Sequence, residues 1–152
     1  MTHRDASNVA VVLEGGLTGL ADAMFDELPE AVICADCGGL IRFWNSGAER
    51  TFGFLRDEAV GKSIEIIIPE GLRQRHRDTY PLMLETGRSS HPSYEPRSMR
   101  AQTKSGQTIS VHFTVALLPG PYGLVAGIAA VLCDTTGTIR DLTRPGPDES
   151  KM

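Results

Sequence analysis

A chain of 152 residues with 41% hydrophobic residues, 22% charged residues and a formal net charge of −4 has room for one domain around one core, since about 100–150 residues is the common domain size. That balance excludes both the low-hydrophobicity signature of disorder and the basic footprint of a nucleic-acid binder. No apolar run approaches the ~20 residues of a membrane helix, and Met1-Thr2-His3-Arg4-Asp5 lacks the charged-then-apolar layout of a secretory signal, so a cytoplasmic protein with neither nucleic acid nor membrane as partner is expected.

The first element in chain order is an amphipathic helix. Val9, Val12, Leu13, Leu17, Leu20, Met24 and Phe25 recur at near-helical spacing between Asn8 and Leu28, with Gly15-Gly16 weakening the middle. A flanking helix, whole or broken in two, is therefore expected over residues 1–27, its apolar stripe covering a sheet or making a dimer contact. Two short strands follow, Ala31 to Ala35 and Leu40 to Trp44, joined by the hairpin turn Asp36-Cys37-Gly38-Gly39. Cys34 and Cys37 form a Cys-x-x-Cys here, but a strand running into a turn lacks the helix N-terminus that activates redox pairs. With no second pair and no nearby histidine, the two are read as structural. Three cysteines in all, an odd number, argue against a disulfide framework and fit a reducing compartment.

Asn45-Ser46 offers a helix N-cap ahead of Ala48, Glu49 and Phe52, and short helical turns punctuated by Gly53 and Gly61 run to about Ile68. Pro69 to Thr86 reads as a helix closed by Gly87, with Pro81 removing one backbone hydrogen bond and bending the last turns. Leu72, His76, Tyr80 and Met83 lie on one stripe of that helix, so an imidazole emerges from an otherwise apolar face toward a sheet. Ser89 to Pro96, which contains His91, reads as a loop.

Three longer strands complete the pattern: Arg97 to Thr103, Thr108 to Leu118 and Leu124 to Asp134, separated by Lys104-Ser105-Gly106-Gln107 and Pro119-Gly120-Pro121-Tyr122-Gly123. In the middle one Ile109, Val111, Phe113 and Val115 face one side, and Ser110, His112 and Thr114 face the other. The tail from about Arg144, with Pro145, Gly146 and Pro147, is expected to be disordered. The sum is an α+β domain: a five-stranded antiparallel sheet, helices packed on one face, and a pocket between the sheet and the long helix.

The order of elements and the residues themselves resemble the PAS fold. Val32-Ile33, Asp36, Gly39, Ile41, Trp44-Asn45, Ala48-Glu49, Phe52-Gly53, Glu58 and Gly61 match the family's first half, and Lys104-Ser105-Gly106 and Asp134-Thr135-Thr136 its end. The likeness covers about Leu28 to Thr138, which sets a sensor domain at 28–138 and a tail or linker at 139–152. The Asn-Cys-Arg-Phe-Leu-Gln stretch of flavin light sensors has no match here. The segment Ile68-Pro69-Glu70-Gly71-Leu72-Arg73-Gln74-Arg75-His76-Arg77-Asp78-Thr79-Tyr80 is similar to the helix that carries the haem ligand in FixL-type oxygen-sensing kinases and direct oxygen sensor phosphodiesterases.

That resemblance implies a haem b cofactor with His76 as axial ligand. It implies Arg97, nine residues before Gly106, as the donor to bound oxygen, and Phe113 and Val115 as the steric wall, with Leu72, Tyr80 and Met83 lining the helix side. A fixed cation with a donor fork would favour oxygen, which gains negative charge on iron, over carbon monoxide. His91 could meet a haem propionate or ligate iron, and Met99 and Cys133 are either distal ligands or core. His3 and His112 read as surface residues. The sequence departs from the kinase type at Leu82, where that type carries an arginine. The implied partners are a diatomic gas (oxygen, with carbon monoxide or nitric oxide as others), a second copy through the flanking helix and sheet, and an output domain or protein. No acid/base pair stands beside the iron position, so no enzymatic activity is expected. The alternative is a haem-free PAS module that dimerises or binds an apolar metabolite.

Overall fold

The computed structural model describes residues 16–86 and 96–137; the expectations for residues 1–15, for the loop bearing His91 and for the C-terminal tail lie outside them. Helix α1 (Gly16–Glu27) is the described part of the flanking helix. Strands β1 (Ala31–Asp36) and β2 (Ile41–Trp44) form the predicted hairpin. Asp36 makes that turn: its carbonyl accepts from Gly39 N at 3.0 Å, and its Oδ1 accepts from Gly38 N at 2.9 Å and Leu40 N at 3.0 Å. Gly39 sits at φ 78°, a conformation that favours glycine. Leu40, expected in the strand, makes only an isolated bridge to Ser63.

Asn45 caps α2 (Ser46–Phe52), as expected. It is fully buried and every polar atom of its side chain is satisfied: Oδ1 accepts from Val32 N and Ala48 N, both at 2.8 Å, and Nδ2 donates to Phe25 O at 2.7 Å and Glu30 O at 2.9 Å. One amide thereby ties α1, β1 and α2 together. The short helix α3 (Arg56–Ala59) and a 3-10 turn over Ile64–Ile67 lead to α4 (Glu70–Thr86). The long helix starts one residue later than expected and runs unbroken past Pro81, because a single missing N–H near a helix end costs less than the packing that holds its buried face.

Strands β3 (Arg97–Gln102), β4 (Thr108–Pro119) and β5 (Val125–Asp134) complete a five-stranded antiparallel sheet of order β2-β1-β5-β4-β3. Rows of directly paired residues cross its inner face: Trp44–Ile33–Ala130–Val115, and Ala31–Leu132–Phe113–Arg97. Helices α2 to α4 cover this face over a core that includes Trp44, Phe52, Ile33, Ile41 and Val111. Trp44 anchors it, with its ring 5.6 Å from Phe52 and Nε1 donating to Phe54 O at 2.9 Å. On the opposite face Phe25 of α1 meets Phe43 edge-on at 6.4 Å. Among the described residues no helix is long and apolar enough to cross a membrane.

Candidate functional site

The site grows from the buried face of α4. Tyr80, 7% exposed, reaches across to the end of β1, where its hydroxyl donates to the Asp36 carbonyl at 2.5 Å. Burial, and after it the neighbouring Asp36 and Cys37, pushes its phenol up to about 12. One turn back, the half-buried His76 ring lies 5.1 Å from the Tyr80 ring at an interplanar angle of 34°. Burial lowers the His76 pKa; Glu65 pulls it the other way and Arg77 adds to the lowering. The neutral imidazole, which keeps a lone pair for a metal, is thereby favoured.

Two of the arginines around His76, Arg73 and Arg77, are engaged elsewhere. Arg77 Nε and Nη2 grip Glu65 Oε1 and Oε2 at 2.6 and 3.0 Å, and Arg73 Nε donates to Ile68 O at 2.9 Å. The hydrogen bond from Arg77 is the first cause that holds the Glu65 carboxyl below the usual range. A depressed carboxyl stabilises the fold above its unfolded pKa of about 4.3 and loses that contribution as pH falls through the lower folded value. Arg77→Met is therefore expected to flatten the acid limb of stability, measured as denaturant midpoints between about pH 3 and about pH 6; a limb identical to that of the parent would refute the pairing in solution.

On the sheet side, pairing with Phe113 turns Arg97 to the inner face, where its Nε is buried and its Cζ sits 5.1 Å from the Phe113 ring centroid. Val115 is buried; Phe113, Met99 and, on α4, Met83 are partly buried against the core. Two expectations need correction. Leu72 is 37% exposed, because the stripe meets the sheet only from His76 onward. Cys133 is exposed and pairs with the exposed His112 on the outer face; strand alternation turns it away from the pocket once Leu132 points inward, so it is neither core nor a distal ligand. His112 is a surface residue as read, and His91 lies outside the described residues.

Leu84 and Leu117 join this face without having been anticipated, although i, i+4 spacing from Tyr80 and the alternation of β4 could have found them. Cys34 is half-buried and Cys37 exposed, its thiol donating to Val125 O and Ala126 O at 3.0 and 3.2 Å. An open groove of about 590 Å³ lies elsewhere, between the end of α2 and the β3–β4 turn, with its Lys104 paired to Glu58 at 2.8 Å.

Among the described residues no three His, Cys, Asp or Glu side chains gather to hold a bare metal ion. A haem supplies the equatorial nitrogens itself and asks the protein for an axial ligand, an apolar slot and control of the open side. A half-buried imidazole of lowered pKa, partly covered apolar side chains and an inward arginine are groups of the kind such a site uses.

A family model described as PAS fold matches residues 25–140. The Sensor protein FixL of Bradyrhizobium diazoefficiens is 28% identical over 128 residues, which are 82% of this chain and 23% of that relative, so the chain spans about a quarter of its length. Among solved structures, the PAS domain of a protein from Colwellia psychrerythraea superposes with a TM-score of 0.68 at 18% identity, covering 80% of this chain and 98% of the other. An RNA-binding Light-Oxygen-Voltage receptor superposes with a TM-score of 0.69 at 18% identity, covering 82% and 35%. These likenesses establish the architecture.

Proposed function

The chain belongs to the PAS-fold family, and from that premise we propose that this signalling domain is a haem-based oxygen sensor, with the sensor unit over residues 28–138. The observation that carries the reading is the half-buried His76 on the stripe of α4 that holds the buried Tyr80, with Arg97 turned inward on the facing sheet. The similarity to FixL of Bradyrhizobium diazoefficiens supports it. Bound haem would supply an open coordination position for a diatomic gas. His76 would hold the macrocycle from α4. Arg97 would present a permanent cation with a donor fork where charge develops on oxygen, while Phe113 and Val115 limit the space. Withdrawal of Arg97 from the Phe113 ring would alter the inner row Arg97–Phe113–Leu132–Ala31 and carry the change to β1, next to the flanking helix. A second copy of the chain and an output domain or protein would receive it.

Contact between the His76 and Tyr80 rings favours a second reading, in which the helix face closes on itself and the module dimerises or takes an apolar metabolite without haem. One titration separates the two. Purified protein mixed with hemin is expected to develop a Soret band that saturates at about one equivalent per chain; absence of any saturable band would discard the haem reading and leave the second.

A further inference from the structure

We propose that Tyr80 is a positioning residue for His76: its ring, anchored through the hydroxyl to the β1–β2 hairpin, holds the imidazole in one orientation for axial ligation. The inference rests on the haem reading and extends it to a residue that does not touch the iron.

A helix backbone alone leaves an imidazole several rotamers. Here one face of the His76 ring is backed by Tyr80, at a centroid distance of 5.1 Å and a tilt of 34°, within the range of attractive ring pairs. Tyr80 itself cannot swing. Its backbone is fixed in α4, its ring is almost wholly buried and its hydroxyl is held by the Asp36 carbonyl. That carbonyl is rigid in turn, since the Asp36 carboxylate accepts from Gly38 N and Leu40 N and pairs with Arg42 Nε at 2.7 Å. Gly39 closes the ring's edge, where an added Cβ would lie 4.0 Å from Tyr80 Cε1.

The same anchor keeps Tyr80 from competing with the metal. Its only proton is spent on a backbone carbonyl instead of the imidazole nitrogens, and burial keeps it a phenol. The Thr79 hydroxyl is spent on the helix backbone, donating to Arg75 O at 2.8 Å with His76 O at 3.5 Å. The contact between the two rings is therefore a tilted ring pair and not a hydrogen bond from the phenol to an imidazole nitrogen.

Two measurements test this. In ligand-free protein, nuclear magnetic resonance is expected to show the His76 ring protons shifted upfield by the Tyr80 ring current; Tyr80→Leu should remove that shift and Tyr80→Phe should keep it while broadening the lines. In His76→Gly protein mixed with hemin, added imidazole is expected to restore the saturable Soret band, and to do so with about 2- to 10-fold tighter imidazole affinity with Tyr80 present than with Tyr80→Leu, with Tyr80→Phe in between. Unchanged His76 resonances in Tyr80→Leu, or equal imidazole affinities across the three, would overturn the role. Failure of wild-type protein to take up hemin overturns the haem reading and axial positioning with it, whereas full uptake with equal imidazole affinities overturns the Tyr80 role alone.

Discussion

His76→Ala is expected to abolish the saturable Soret band of the hemin titration while leaving the protein folded. The imidazole is half-buried and touches Tyr80 but is absent from the central core, so its loss should cost no more than about 1 kcal/mol of stability. For ligation the loss is complete. Tyr80, whose ring touches His76, is committed to the Asp36 carbonyl with its proton retained and so is not expected to take over. Circular dichroism and thermal unfolding supply the control, and absorption the readout. A His76→Ala protein that still saturates at about one hemin per chain with an unshifted Soret band would show that another residue is the ligand, Met99 on the inner face being the first to test.

On the haem reading, Arg97→Ala is expected to separate gases instead of abolishing binding. A hydrogen bond to a group bearing charge is worth about 1.5–3 kcal/mol, so oxygen release should accelerate by about 10- to 100-fold. Carbon monoxide gains little negative charge and its affinity should change by less than about 3-fold. Arg97→Lys should fall between, because an ammonium supplies the charge without the planar fork. The Arg97 Cζ lies 5.1 Å from the Phe113 centroid, a contact that bound oxygen would have to outbid; Phe113→Leu should therefore remove one competitor for the guanidinium and slow oxygen release. Equal acceleration for both gases in Arg97→Ala would mean that the residue shapes the space and contributes nothing through charge.

Local patterns carried most of this architecture. The alternation of β4, the Asp36–Gly39 turn and the Asn45 cap are each decided within a few residues by pleat geometry, turn chemistry and cap chemistry, and each was readable in advance. Strand ends were legible only to within a residue, since the last ladder bonds depend on partners distant in sequence. Helix α4 continued past Pro81 because tertiary packing outweighed a local penalty. Of the candidate site, helical spacing put His76 on the buried stripe of α4, whereas Arg97 came only from the family resemblance, because a six-residue strand with few apolar side chains does not declare its inner face. What escaped was long-range: Leu72 on the exposed start of the helix, Cys133 on the outer face, and the bond from Tyr80 to a carbonyl 44 residues away. None of these follows from periodicity, because each depends on where one element sits against another.

Residues 44 and 45 are neighbours with opposite commitments. The indole is sealed among inward-facing rings, while the amide beside it grips the carbonyls of Phe25 and Glu30. A single peptide unit thus acts as a lever whose short arm is indoors and whose long arm is a helix. Repacking beneath the tryptophan is therefore expected to be felt at the carbonyls of Phe25 and Glu30, since the amide between them has no spare hydrogen-bonding valence to give.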